Sequence, residues 1–157
     1  QYLGDEIDTV LTVATKGIPI AQSISDYLNV PFVIARHDSQ ITEGSTVSVN
    51  YVSGSSSRIE KMALSKRSLT PDSRVLIVDD FMKGGGTVGG MQSLVKEFDA
   101  KVAGVAVFAE GTFEGERKVP KYTSLLKIHA TNDHVDVTAG NFAEQIYTPE
   151  RLTQFQD

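Results

Sequence analysis

The chain of 157 residues lacks the features that mark several large classes of protein. It contains no cysteine, which excludes disulfide frameworks and thiolate metal sites and suits a reducing cytoplasm. No apolar run approaches the roughly 20 residues that span a bilayer, and no signal peptide is visible. The net charge of −5 argues against a large nucleic-acid surface on this segment. We therefore expect one cytoplasmic globular domain, 1–157, with no membrane segment and enough residues to bury a core.

The most informative stretch is 74–98, RVLIVDDFMKGGGTVGGMQSLVKEF. Residues 75–78 are a short apolar run, typical of a buried strand in a parallel sheet. After Thr87, apolar residues recur at the spacing of a helix. Glycines that open a helix expose backbone N–H groups where the helix dipole is positive. The stretch therefore predicts a strand, a phosphate-binding loop and a helix.

Two common phosphate-binding motifs match this loop only in part or not at all. Gly84, Gly86 and Gly89 satisfy G-x-G-x-x-G, and Glu110 ends the next predicted strand, as in dinucleotide-binding folds. There the first glycine follows the strand almost at once, whereas residues 79–83 intervene here and include two acids. Carboxylates repel a pyrophosphate but accept hydrogen bonds from ribose hydroxyls. The Walker A motif fails, because no Gly-Lys-Ser/Thr closes the loop.

A strand followed by Asp79, Asp80 and a small phosphate loop resembles the type I phosphoribosyltransferase fold. The resemblance implies an α/β fold, with a mostly parallel twisted sheet flanked by helices and a protruding β-hairpin lid. It also implies that Asp79 and Asp80 hold the ribose 2- and 3-hydroxyls of phosphoribosyl pyrophosphate (PRPP). The loop that would hold the 5-phosphate comprises Lys83, Gly84, Gly85, Gly86 and Thr87.

The N-terminal part matches the pyrophosphate loop of the same fold. Residues 7–13 are predicted to form a buried strand, and a helix with Pro19 in its first turn follows. Between them, Thr15-Lys16-Gly17 matches the small-basic-glycine pattern of that loop, where lysine offers a point charge to a diphosphate. By itself a Lys-Gly pair is more often a surface turn. The predicted inner face of the helix comprises Ile20, Ile24, Tyr27 and Leu28.

Arg36 ends a second predicted strand, 32–36. Many relatives carry Arg-Lys here, and the resemblance implies that a basic residue reaches the pyrophosphate across a dimer interface. Arg36 matches that pattern, although a solvated strand end explains it almost equally well. His37 departs from the pattern and leaves a weaker, pH-dependent charge.

Residues 42–69 are predicted to form the lid hairpin. Val47, Val49 and Tyr51 alternate with polar residues, which indicates a strand, and the serine-rich stretch 53–57 favours a mobile turn. In the fold this hairpin corresponds to a loop that closes over PRPP and excludes water. The alternative is an exposed hairpin whose charges aid solubility. Candidates in the lid and base pocket, without assigned roles, are Tyr51, Arg58, Lys66, Phe81 and Met82.

The C-terminal half predicts further strands at 101–109, 122–130 and 135–137. Glu110 would lie at the same carboxyl edge of the sheet as Asp79 and Thr15, where such sheets bind ligands. His129 and His134 are predicted to be ordinary strand histidines rather than metal ligands. The tail, 143–157, is predicted to be a polar surface segment.

A narrower resemblance covers residues 7–142. VSVNYVSGSSSRIEKMALSKRSL followed by VLIVDDFMKGGGT resembles the bacterial purine operon repressors built on the phosphoribosyltransferase fold. The family implies a homodimeric effector domain that binds PRPP and relieves repression, with phosphorylated purine nucleotides as competitors. Its operator DNA is bound by an N-terminal winged-helix domain, to which nothing here corresponds. Because the chain begins with Gln1 rather than methionine, we expect further residues to precede it.

Lys83 and Gly84 bear on whether the chain is an enzyme or a sensor. Enzymes of this fold often carry Ala or Asp, then Thr or Ser, at these positions. An aspartate there can transfer a proton to a purine, whereas lysine cannot at neutral pH unless its pKa is strongly lowered. We therefore predict no catalytic residue and Mg²⁺ that arrives with PRPP rather than on protein ligands. The alternative is an active purine phosphoribosyltransferase with a base pocket near Phe81, Met82 and Glu110.

Overall fold

The computed structural model describes residues 7–37, 44–53 and 58–146, which contain eight strands and three helices. In chain order they are β1 (Thr9–Val13), α1 (Ile18–Leu28), β2 (Phe32–Ala35), β3 (Thr46–Val52), β4 (Ile59–Ser65), β5 (Arg74–Met82), α2 (Gly86–Glu97), β6 (Lys101–Gly111), β7 (Thr123–Ala130), β8 (Val135–Ala139) and α3 (Phe142–Ile146). One sheet has the order β2-β1-β5-β6-β7-β8, and β3 and β4 form a second sheet. All neighbours in the large sheet are parallel except β7 and β8. The predicted α/β class with a separate hairpin is confirmed.

The two core clusters explain how the helices are placed. The larger cluster contains the inner face of α2, including Val88, Met91 and Leu94, with residues of the sheet and hairpin. The smaller cluster includes Ala21 of α1 with residues of β1 and β5. Helices α1 and α2 each follow a parallel strand, β1 and β5, so their N-termini lie at the carboxyl edge of the sheet.

The prediction for the inner face of α1 is wrong at one residue, Tyr27. Ile20, Ile24 and Leu28 pack against the smaller cluster, but Tyr27 is 82% exposed. The buried face instead includes Ser25, whose hydroxyl donates to the carbonyl of Val30. Tyr27 is two residues beyond Ser25, about 200° around a helix of 3.6 residues per turn, so it faces solvent.

The strand that carries the acid pair is longer than predicted. The apolar run suggested 75–78, whereas β5 continues through Asp79 and Asp80 to Met82. The reason is that β6 offers a partner over this whole length, with Met82 opposite Glu110. Asp79 and Asp80 are therefore held by the sheet rather than by a loop, and the loop before α2 shortens to 83–85.

The base of the hairpin belongs to the core. Tyr51 and Met62 lie in the larger cluster, and Val47 and Val49 pack against it, as the alternation predicted. Close approach of the hairpin to α2 requires Gly90, because a Cβ there would lie 2.9 Å from Tyr51 Cβ and 2.8 Å from Met62 Cε. Of the predicted mobile tip, 53–57, only Ser53 lies within the described residues, and closure of a lid stays a prediction.

The C-terminal strands follow the prediction, with one change. His129 lies in β7, but His134 lies in the turn before β8 and pairs with Asp136, Nε2 to Oδ1 2.9 Å. Of the predicted polar tail, 143–146 falls in α3 and the rest lies outside the described residues. In the described part of the chain, no helix has the length and apolar character needed to cross a membrane.

Candidate functional site

A cavity of about 690 Å³ opens at the carboxyl edge of the sheet, between the start of α1, the start of α2 and the hairpin. It brings together residues that are far apart in sequence. The predicted site residues that line it are Thr15, Lys16, Gly17, Tyr51, Asp79, Asp80, Phe81, Met82, Lys83, Gly85, Gly86 and Thr87.

Four predicted residues lie elsewhere. Gly84 is turned away, because a Cβ there would lie 3.0 Å from the ring of Phe113. Arg36 extends β2 and forms a backbone bridge to β4. Arg58 and Lys66 flank β4 at its two ends, and both are exposed. Direct roles for these four in the cavity therefore depend on a conformation other than the one described.

Two helix N-termini face the cavity without a side-chain cap. The N-cap of α2 is Gly85 at φ +82°, and the N-cap of α1 is Gly17. Among the described residues, neither N-cap has a side-chain hydrogen bond and neither first turn contains an acid. The first N–H groups of a helix need acceptors and carry partial positive charge. The start of α2 therefore offers backbone N–H groups to an anionic group. At α1 the Ile18 N–H donates to the Thr15 carbonyl at 3.3 Å and Pro19 has no N–H, so the attraction for an anion there depends mainly on Lys16.

Steric crowding explains why position 17 is a glycine. A Cβ at this position would lie 2.1 Å from Thr12 Oγ1, on the fully buried face of β1. Only glycine lets the chain turn this closely over β1 into α1. The peptide bond between Ala14 and Thr15, in the same turn, is cis.

The acid pair lies between the two helix ends. Asp79 is 5% exposed, and its Oδ1 accepts a hydrogen bond from the backbone N–H of Asp80 at 2.9 Å. Burial, a side-chain hydrogen bond with Asp80 and the charge of Asp80 raise the pKa of Asp79 to about 7, against the opposing effect of the backbone N–H of Asp80. Near neutral pH the pair therefore carries less than its full charge, while its oxygens can still accept hydrogen bonds from hydroxyl groups.

A polar cluster opposite the acids also lines the cavity, and Tyr51 was its one member that the sequence predicted as a site residue. Tyr51 Oη donates to Glu60 Oε2 at 2.9 Å, and His37 Nδ1 lies 3.7 Å from the same oxygen. Burial, the hydrogen bond to Glu60 and the charges of Glu60 and Asp79 raise the pKa of Tyr51. His37, Glu60 and Ser53 all line the cavity. The antiparallel register places Glu60 directly opposite Tyr51, and this tertiary pairing explains why sequence reasoning did not identify it.

Glu110 occupies a different environment from the one predicted. It is 2% exposed and lines a second cavity of about 410 Å³. Its carboxylate accepts hydrogen bonds from Ser124 at 2.9 Å, from Arg117 at 2.5 Å and from the hydroxyl of Tyr122. Burial alone would raise the pKa of Glu110, but these donors and the charge of Arg117 lower it overall. Its acceptors are thus engaged within the protein rather than presented to a base.

The chain is similar in sequence to transcriptional regulators of purine biosynthesis. It is 59% identical over 144 residues to the purine biosynthesis transcriptional activator PurR of Lactococcus lactis, covering 90% of this chain and 53% of the relative. It is 55% identical over 140 residues to the purine biosynthesis transcriptional repressor PurR of Bacillus subtilis, covering 87% and 49%. The chain thus spans about half the length of these relatives.

Solved structures with the same fold include a phosphoribosyltransferase. Adenine phosphoribosyltransferase from Trypanosoma brucei, solved with AMP, pyrophosphate and ribose 5-phosphate, superposes with a TM-score of 0.58. The two sequences are 28% identical, and the match covers 66% of this chain and 44% of that one. The model of the phosphoribosyl transferase domain matches residues 1–140. These residues make up most of the chain, which therefore belongs to the phosphoribosyl transferase domain family.

Proposed function

We propose that this chain binds PRPP with Mg²⁺ and serves as the ligand-sensing module of a transcriptional regulator of purine biosynthesis genes. The observation that carries the proposal is the acid pair, Asp79 and Asp80, between two uncapped helix N-termini in one cavity. Relatives of 55 to 59% identity that regulate purine biosynthesis support the regulatory role. A dinucleotide is disfavoured, because two acids lie on the strand that leads into the glycines and would repel a pyrophosphate.

Each part of PRPP has a matching group in the cavity. The ribose hydroxyls would donate to Asp79 and Asp80, and the 5-phosphate would accept from the N–H groups at 85–87 and pair with Lys83. The pyrophosphate would lie at Thr15-Lys16-Gly17, before α1. Mg²⁺ would be held largely by ligand oxygens and water, with the carboxylates of the acid pair as acceptors for those waters.

The regulatory role includes partners beyond these residues. Operator DNA would be bound through a winged-helix domain outside this chain, and the module would act as a homodimer. Phosphorylated purine nucleotides would compete with PRPP, because they present anionic groups to the start of α2 and to Lys16. One relative is an activator and the other a repressor, so we propose regulation by PRPP without assigning its sign.

We propose that the module senses PRPP without turning it over. Lys83, rather than an aspartate, lines the cavity next to the acid pair, and a protonated lysine cannot accept a proton from a purine. The acceptors of Glu110 are engaged by internal donors.

The alternative is an active purine phosphoribosyltransferase. The likeness to the Trypanosoma brucei enzyme favours it, as does Phe81, which is 44% exposed, lines the cavity and would offer a stacking surface to a base.

Calorimetric titration of PRPP with Mg²⁺ separates these alternatives when it is followed by a pyrophosphate assay with adenine, guanine, hypoxanthine or xanthine present. Saturable binding without pyrophosphate release is the expected result. Release with any base would establish the enzyme instead. Absence of binding in the intact protein would overturn the proposal itself.

A further inference from the structure

The loop between β6 and β7, residues 112–122, lies against the back of the glycine segment that precedes α2. The backbone N–H of Lys118 donates to the carbonyl of Gly84 at 3.1 Å. A Cβ at Gly85 would lie 3.0 Å from Cγ2 of Val119, which is 1% exposed. The shape of the glycine segment therefore depends on a loop that lies outside the main cavity.

Arg117 is the side chain that fixes this loop in place. Its Nε donates to the carbonyl of Lys83 at 2.9 Å, and its Nη2 donates to the carbonyl of Gly111 at 2.6 Å. Its Nη1 donates to Glu110, and the guanidinium lies over the ring of Tyr122 at 5.5 Å. One planar guanidinium thus joins β6, the end of the 112–122 loop and the start of the glycine segment, a fork geometry that lysine cannot reproduce.

These contacts determine where the amides of the glycine segment point. In the described residues the one cis bond is Ala14–Thr15, so the peptide groups that join Lys83, Gly84 and Gly85 are trans. In a planar trans peptide the C=O and N–H groups point in opposite directions. Since the carbonyls of Lys83 and Gly84 point to the 112–122 loop, the N–H groups of Gly84 and Gly85 point away from it. Gly85 lines the cavity, so its N–H faces the ligand side.

We propose that Arg117 is a positioning residue for ligand binding, which sets the amides of the glycine segment toward an anionic group. The inference rests on the proposed function, because that group would be the 5-phosphate of PRPP. Arg117 acts by holding the 112–122 loop against the carbonyl of Lys83, so that the Lys118 N–H fixes the Gly84 carbonyl and with it the Gly85 amide, rather than through its charge. Its charge is balanced by Glu110 at 2.5 Å, and its side chain lines the second cavity rather than the first.

The test compares Arg117→Lys with wild type and two reference variants. Arg74→Met is the matched control, because Arg74 also pairs with an acid, Nε to Asp8 Oδ2 at 3.6 Å, but lies at the opposite end of β5. Lys83→Met is the reference for direct charge on the ligand. PRPP affinity is measured by calorimetry over a series of salt concentrations, at a temperature where thermal scans show every variant folded. Exchange of the Lys118 amide is measured by NMR without ligand.

Arg117→Lys is expected to weaken PRPP binding about 10-fold, the loss expected from a hydrogen bond to a charged donor. The slope of log affinity against log salt should stay at the wild-type value, whereas Lys83→Met should make it shallower. The Lys118 amide should exchange faster in Arg117→Lys and not in Arg74→Met. A purely structural role would lower thermal stability without weakening binding below the transition.

Wild-type affinity in Arg117→Lys would overturn the inference, and so would a salt slope that falls as in Lys83→Met. If wild type itself fails to bind PRPP, the proposed function fails, and amide exchange decides the inference. Faster exchange at Lys118 in Arg117→Lys than in Arg74→Met would then support it. Equal exchange in the two variants would refute it.

Discussion

Gly89 and Gly90 are adjacent in α2, yet the structure predicts opposite effects when each is replaced by alanine. In a helix, alanine in place of glycine gains about 0.5 to 1 kcal/mol, since glycine loses more backbone entropy on folding. A Cβ at Gly89 has open space, with Lys118 Cβ at 4.0 Å as its nearest neighbour. Gly89→Ala should therefore stabilise the protein by that amount.

At Gly90 the same methyl group meets the hairpin. It would lie 2.9 Å from Tyr51 Cβ, and such an atom close to the backbone cannot rotate away. Overpacking of this kind costs about 1 to 3 kcal/mol, which exceeds the helix gain. Gly90→Ala should therefore be less stable than Gly89→Ala by about 1 to 3 kcal/mol, because the helix term is common to both variants.

Urea unfolding of both variants, followed by circular dichroism, measures this difference. Tyr51 also lines the cavity, so Gly90→Ala should weaken PRPP binding as well, whereas Gly89→Ala should bind normally. Equal stability of the two variants would refute the packing of the hairpin against α2.

Three further predictions concern Asp79, Thr12 and Gly17. The pKa of Asp79 is raised to about 7 in the folded state, so between about pH 4 and 7 the folded protein binds a proton that the unfolded chain has lost, and the contribution of Asp79 to stability falls as pH rises. Asp79→Asn should therefore stabilise the protein more at pH 8 than at pH 4, as measured by urea unfolding. Thr12 Oγ1 is buried without a partner among the described residues, so Thr12→Val should raise the free energy of unfolding by about 1 kcal/mol, and a loss would contradict this. Gly17→Ala should abolish PRPP binding in calorimetry through collision with Thr12, and Thr12→Ala should partly restore it; failure of that rescue would place the collision elsewhere.

The order of the elements could be predicted because each has a local pattern. The apolar run before Asp79 and the helical spacing after Thr87 located β5 and α2. The end of β5 could not be predicted in the same way, because an acid pair ordinarily marks a loop. Here β6 provides backbone partners as far as Glu110, and the sheet holds the acids in place.

Residues that act through tertiary contacts could not be found from spacing. Glu60 reaches the cavity because the hairpin register places it opposite Tyr51, and no local pattern reveals that register. Arg117 lies in a loop with no periodicity, and its role depends on carbonyls contributed by residues 83 and 111. Ser25 is buried in place of Tyr27 because its small side chain satisfies its hydroxyl locally, on the carbonyl of Val30.

The measurement that tests the central claim most directly is calorimetric titration of PRPP with Mg²⁺ into the double variant Asp79→Asn with Asp80→Asn. Its matched control is Asp26→Asn with Asp72→Asn, which removes two acids that are exposed and do not line the cavity. We predict that the first variant stays folded and loses PRPP binding, because amides replace the carboxylate acceptors for the ribose hydroxyls, while the control binds as wild type does. Undiminished binding by the acid-pair variant would contradict the site.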